Sequence, residues 1–170
     1  YIGHQYGPHA HELVDTYIRL DKDIAKVLKV IENKVGFENA VVFITADHGV
    51  VSEPSELIKN NIPAGYFDGS IMKTELLAHL ITTYGEGNWI KNYSNNHLFL
   101  NHDLIANQNI NTEEIQRECA QFFLRYEWVK NTYTATQLHE NEYSNSFHSL
   151  VQRGFNQKRS GDVIVSLQTG

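Results

Sequence analysis

Three side chains in this 170-residue chain have the type and spacing for metal chemistry: His4, Asp47 and His48. Asp47 and His48 follow Thr45-Ala46 at the end of the apolar run Ala40-Val41-Val42-Phe43-Ile44-Thr45, and Gly49 comes directly after them. In open α/β sheets ligands gather beyond the carboxyl ends of strands, so a strand ending here would deliver polar groups where chemistry belongs. Adjacent residues on a straight strand face opposite sides. If Asp47 and His48 serve one centre, the chain must leave strand geometry at that point, and Gly49 supplies the backbone freedom. A carboxylate oxygen and an imidazole nitrogen are both zinc donors, at about 2.0–2.2 Å. The alternative, equally open on residue chemistry, is an Asp capping the next turn beside an exposed His. His4 lies in Tyr1-Ile2-Gly3-His4-Gln5-Tyr6-Gly7-Pro8, either as a ligand on a Gly-bracketed turn or as a surface residue.

The elements that position these residues can be read from periodicity. Residues 1–10 read as a loop, punctuated by Gly3 and Gly7-Pro8. From Glu12, the apolar residues Leu13, Tyr17, Leu20, Ile24, Val27, Leu28 and Ile31 recur mostly at steps of three and four, which predicts an amphipathic helix ending before Gly36. The run 40–45 is continuous and β-branched, as expected of a strand covered on both faces in a parallel sheet. Helix followed by buried strand is half of a βαβ unit. Further on, the pattern predicts a short helix over 54–59 with Ser52 as cap, and a helix from Asp68 or Ser70 to Gly85. It then predicts a strand at Leu98-Phe99-Leu100 and a helix opened by Asn111 and Glu114 and running through Arg125. An edge strand over 129–136, a helix over 142–154 and a last strand from Gly161 complete the reading. The first 50 residues look α/β and the remainder an α+β insert. The expected organisation is one partial domain, 1–170: a metal-site portion over 1–50, an insert over about 51–160, and a return strand over 161–170.

Composition sets the outer bounds. With 41 % hydrophobic and 20 % charged residues, the chain has an ordinary globular balance, and 9 Tyr, 8 Phe and 2 Trp supply aromatic mass for a core. A formal charge of −6 argues against a nucleic-acid binder, which needs a clustered basic footprint. No apolar run approaches the roughly 20 residues of a membrane helix. The single cysteine, Cys119, makes no internal disulfide. The chain opens at Tyr1 without a signal and ends at Gly170 just after a strand pattern, so the expectation is a piece of a longer protein.

The Gly-His-x-x-Gly-Pro loop entering a long helix, followed by Thr-Ala-Asp-His-Gly after an apolar run, resembles the alkaline phosphatase superfamily. The similarity is to the branch of type I phosphodiesterases, nucleotide pyrophosphatases and bacterial, Bacteroidetes-type alkaline phosphatases with a threonine nucleophile. Tyr66 to Trp89, Leu98 to Asn101 and Lys158-Arg159-Ser160-Gly161-Asp162 extend the resemblance over nearly the whole chain. It implies an alkaline-phosphatase-like sheet flanked by helices. By the same resemblance, His4 binds one of two zinc ions and Asp47 and His48 bind the other. The nucleophile and the remaining ligands fall outside these residues, so the piece by itself is expected to be inactive. The implied activity of the parent is hydrolysis of phosphate monoesters. The alternatives are a phosphodiesterase or nucleotide pyrophosphatase, or a non-catalytic binding domain that retains the motif. A periplasmic or secreted location is also implied.

Two zinc ions can ionise a nucleophile on one side and stabilise the leaving oxygen on the other. Mixed carboxylate and imidazole ligation leaves each ion the positive charge this requires. Other residues invite plainer readings. His9 and His11 lie near the His4 loop in outer or surface roles, Glu12 and Asp15 favour the helix N-terminal dipole, and His97 and His102 read as surface residues. Cys119 reads as a buried apolar residue, Lys158-Arg159 as a solvated turn, and Tyr126, Trp128 and Tyr133 as packing.

Overall fold

Side-chain caps and glycines divide this chain more clearly than hydrophobicity does. The computed structural model describes residues 1–168, which form two compact units, Tyr1–Tyr66 and the residues from Phe67 onward. Thr169 and Gly170, the last residues of the expected return segment, lie outside the described residues.

The first unit is helical. α1 (Ile2–Tyr6) forms where a loop was expected, and it closes at Gly7, whose φ of 82° is left-handed and whose N–H bonds to Gly3 O. α2 (His11–Lys34) follows the predicted periodicity. Its exposed face carries ion pairs such as Arg19–Asp15 at 2.7 Å. On its apolar stripe Leu13, Ile24, Leu28 and Ile31 are half-buried, whereas Tyr17, Leu20 and Val27 stay exposed. A 3-10 turn (Phe37–Asn39) leads into the apolar run.

The run 40–45 is not a strand here. It has no ladder partner among the described residues, and Val41, Phe43 and Ile44 are more than three-quarters exposed. A strand needs neighbours to satisfy its N–H and C=O groups, and propensity alone does not supply them. The expected parallel βαβ arrangement therefore does not form within residues 1–66. α3 (Pro54–Lys59) begins with proline in its first turn. Its cap is Glu53, whose carboxylate accepts the Ser55 N–H at 2.8 Å, rather than Ser52.

The second unit holds the buried core. α4 (Gly69–Tyr84) is capped by Asp68, which accepts the Ser70 N–H at 2.8 Å. β1 (Ile90–Ser94) and β2 (His97–Leu100) form a hairpin. Its two central residues, Asn95 (φ 49°) and Asn96 (φ 61°), are both left-handed, the pattern of a type I′ turn. α5 (His102–Asn107) follows directly. α6 (Thr112–Phe123) is opened by Asn111, whose side chain accepts the N–H groups of Glu113 and Glu114 at 2.8 and 3.2 Å. β3 (Val129–Thr134), α7 (Ala135–Glu140), α8 (Phe147–Gly154) and β4 (Val163–Leu167) complete the order. α8 starts five residues later than the pattern suggested, because Tyr143 and Asn141 bond instead to the Gln152 side chain.

The four strands make one antiparallel sheet in the order β1-β2-β4-β3, with β3 on an edge as expected. Against it pack Met72, Leu76 and Leu80 of α4, Ile115, Cys119 and Phe123 of α6, and Trp89, all essentially inaccessible. Trp89 donates its indole N–H to Gly85 O at 2.9 Å, so its one polar atom is satisfied inside the core. The α/β class and the α+β character of the later residues are as read from the sequence.

Candidate metal centre

His4, Asp47 and His48 come together in the first unit. His4 rides on α1, and two glycines let the surroundings close on that short helix. A Cβ on Gly3 would touch both Leu13 of α2 and Val50 at 3.7 Å, and one on Gly7 would meet the Glu53 Cβ at 3.1 Å. The segment after His48 therefore packs along α1, and the His4 and His48 rings meet edge to face with centroids 5.0 Å apart.

The chain bends at Asp47. This departure from strand geometry puts both side chains on one side, with Asp47 Oδ2 3.5 Å from His48 Nε2. Asp47 Oδ1 accepts the His48 backbone N–H at 3.0 Å, which holds the carboxylate in place. His48 Nδ1 lies 2.7 Å from Gly49 O. A carbonyl can only accept, so Nδ1 is the donor there, and in the neutral ring Nε2 is left as the electron-pair donor that a metal would need. The Gly49 carbonyl is thus the group that orients this imidazole, a role that its place in the motif did not reveal.

Two donors on a tetrahedral zinc at about 2.1 Å each lie about 3.4 Å apart. The Asp47–His48 separation matches that spacing, so the donor pair fits such an ion. Among the described residues no group of three or more His, Cys, Asp or Glu side chains is placed to hold a metal on its own. All three candidates line a cavity of about 500 Å³, whose other walls include Ile2, Leu13, Tyr17 and Val50. His9 and His11 are not part of that lining.

Of the residues given plainer readings, those beyond Tyr66 fall in the second unit, with some differences. His97 is half-buried and its Nδ1 accepts the Gly161 N–H at 3.0 Å, while burial pushes its pKa down and favours the neutral ring. His102 leans over buried Asp162 instead of standing free. Cys119 is buried, as expected, and Lys158 and Arg159 form a turn before β4.

A family model for type I phosphodiesterase / nucleotide pyrophosphatase matches residues 1–170. The chain belongs to this family. It is 29 % identical over 170 residues to alkaline phosphatase PafA of Elizabethkingia meningoseptica, covering all of this chain and 31 % of that protein. Alkaline phosphatase PhoV of Synechococcus elongatus is 29 % identical over 173 residues, covering all of this chain and 30 % of PhoV. A Myroides odoratus protein named calcium-transporting ATPase is 27 % identical over 168 residues, 99 % of this chain and 31 % of that one. In three dimensions the chain matches the crystal structure of wild-type PafA with a TM-score of 0.85 at 29 % identity, over its full length and 32 % of the PafA chain. The resemblance drawn from the Gly-His and Asp-His-Gly motifs is therefore borne out. The chain spans about a third of the length of these relatives.

Proposed function

We propose that these residues form part of a metal-dependent phosphoric ester hydrolase that acts on phosphate monoesters. The observation that carries the reading is the convergence of His4 with the Asp47–His48 pair, set at the separation that zinc requires. Asp47 and His48 hold one zinc ion, His4 contributes to a second, and the nucleophile and remaining ligands come from outside this chain. When bound, the two ions supply Lewis-acid charge for the attacking and leaving oxygens of a phosphoryl transfer.

The protein's own residues do the positioning. Gly49 O keeps the His48 Nε2 lone pair directed at the site. The His48 backbone N–H fixes one carboxylate oxygen of Asp47 and leaves the other to the metal. Gly3 and Gly7 let Val50 and Glu53 clamp the helix that carries His4. Residues 1–170 then belong to one larger catalytic domain, in a periplasmic or secreted location. No helix among the described residues is long and apolar enough to cross a membrane.

A phosphodiesterase or pyrophosphatase is the second reading, favoured by the description of the matching family. One experiment separates them: kcat/KM for an aryl phosphate monoester and its matching diester in the full-length protein loaded with zinc, with Asp47→Ala as control. Loss of a group that only orients a ligand costs about 10–100-fold, so loss of the ligand itself should exceed about 100-fold. Monoester preference that collapses in the variant, with bound zinc reduced, supports the proposal. Diester preference moves it to the second reading. Turnover unaffected by Asp47→Ala would remove these residues from the site, and no activity on either ester would favour a non-catalytic binding domain.

A further inference from the structure

A separate cavity of about 540 Å³ lies wholly within the second unit, lined by parts of β2, α5, α6, α7 and the segment leading into β4. Its apolar lining includes the rings of Phe99 and Phe155. Its polar lining rests on a buried network. Gln116, 3 % exposed, accepts the Thr136 N–H at 3.2 Å and the Thr136 hydroxyl at 2.8 Å on Oε1, and its Nε2 donates to Asp162 Oδ1 at 3.1 Å. Asp162, 8 % exposed, accepts the Leu100 N–H on Oδ2 at 2.8 Å, and His102 Nε2 lies 2.9 Å from its Oδ1.

Two donors on Oε1 fix which way the Gln116 amide faces. Its Nε2 then has a second N–H with no partner among the described residues, His102 Nδ1 likewise has no hydrogen-bond partner among them, and both residues line the cavity. Charge decides what fits. The Asp162 carboxylate is offset by Leu100, Gln116 and His102, and exposed Lys158 and Glu140 at the lining oppose each other. An anion at Lys158 would also meet Glu140, and a cation at Glu140 would also meet Lys158, so either would lose hydration without an unopposed counter-charge. A neutral ligand with hydroxyls for the Gln116 and His102 groups and C–H faces for the phenyl rings meets neither penalty. The volume falls in the range of small-molecule sites.

We propose that this cavity binds a small neutral polyol of about hexose size, through the polar groups of Gln116 and His102 and the rings of Phe99 and Phe155. Saturation-transfer NMR on the full-length protein with D-glucose and myo-inositol tests it. The expected result is transfer to the ring protons, reduced at least about fivefold in Gln116→Leu and in Phe155→Ala. The second variant leaves the buried network intact and decides the matter if the first does not fold. Absence of transfer to either polyol, or an unchanged signal in Phe155→Ala, overturns the proposal. Displacement of the polyol by equimolar inorganic phosphate or acetate also overturns it, in favour of an anion site.

Discussion

The carboxylate of Asp162 accepts the backbone N–H of Leu100 at 2.8 Å, although 62 residues separate them in the chain. The Asp162 N–H in turn donates to Leu98 O at 2.7 Å, so one residue ties the end of β2 to the start of β4 through both its backbone and its side chain. Removing the carboxylate strands the Leu100 N–H and one Gln116 N–H in a buried setting. At about 1–3 kcal/mol for each unsatisfied group, Asp162→Ala is expected to destabilise the second unit by about 2–6 kcal/mol. Denaturant unfolding followed by circular dichroism measures this, and a loss below about 1 kcal/mol would mean that water replaces the lost acceptor.

Gly161, next to it, is a packing requirement. A Cβ there would sit 2.5 Å from the Leu98 carbonyl oxygen, a backbone atom that cannot swing away. Gly161→Ala is therefore expected to cost about 1–3 kcal/mol, the range for overpacking. Gly154, at the end of α8, has nothing within 4 Å of the same position and no left-handed φ. Gly154→Ala should be neutral or stabilising by about 0.5 kcal/mol. Paired melting curves of the two variants check the contrast.

Cys119 is fully buried on α6, and burial, with smaller contributions from the Asp162 and Glu118 charges, drives its thiol pKa far above the ordinary range. Thiolate is the reactive form. The native protein should therefore react with a disulfide reagent such as DTNB at position 119 only after unfolding. Rapid native-state labelling there would contradict the packing of α6 against the sheet.

Tyr126 donates its hydroxyl to Glu75, and its pKa is pushed up to about 12 by burial first and by that bond and charge second. The folded state thus holds this proton more tightly than the unfolded chain, whose tyrosine titrates near 10. The stabilising contribution is complete below pH 10 and disappears as pH rises from 10 to about 12. Burial also raises Tyr84, Tyr93 and Tyr133, so phenolate absorbance should show a late-titrating group of tyrosines, of which one moves downward in Glu75→Gln. A titration indifferent to that substitution would remove the carboxylate from the cause.

Local signals in the sequence were reliable where a single residue decides the outcome. Asn111 and Asp68 cap the helices they were expected to open, since a cap acts within three residues of itself. The run 40–45 shows the opposite case: its composition suits a strand, but a ladder depends on distant partners that no local pattern reports. β1 escaped notice because only one of its five residues is buried, leaving no alternation to detect. In the candidate site the motif residues were legible, and the bend at Asp47 follows from the need to bring adjacent side chains to one side. The Gly49 carbonyl and the Gln116–Asp162 network were not legible. Backbone carbonyls have no side-chain signature, and the partners of Asp162 are 46 and 62 residues away.

The strand order has a consequence for synthesis. β3 pairs with β4, and the β1–β2 hairpin reaches β3 only through β4. While the ribosome is still adding residues before Val163, the hairpin can close at its two-residue turn and α4 can collapse onto it, but β3 must wait with an open edge. Folding of this unit during translation is thus gated by emergence of its last strand. Until then the nascent chain exposes two unpaired edges, those of β2 and β3, to anything that binds an extended segment.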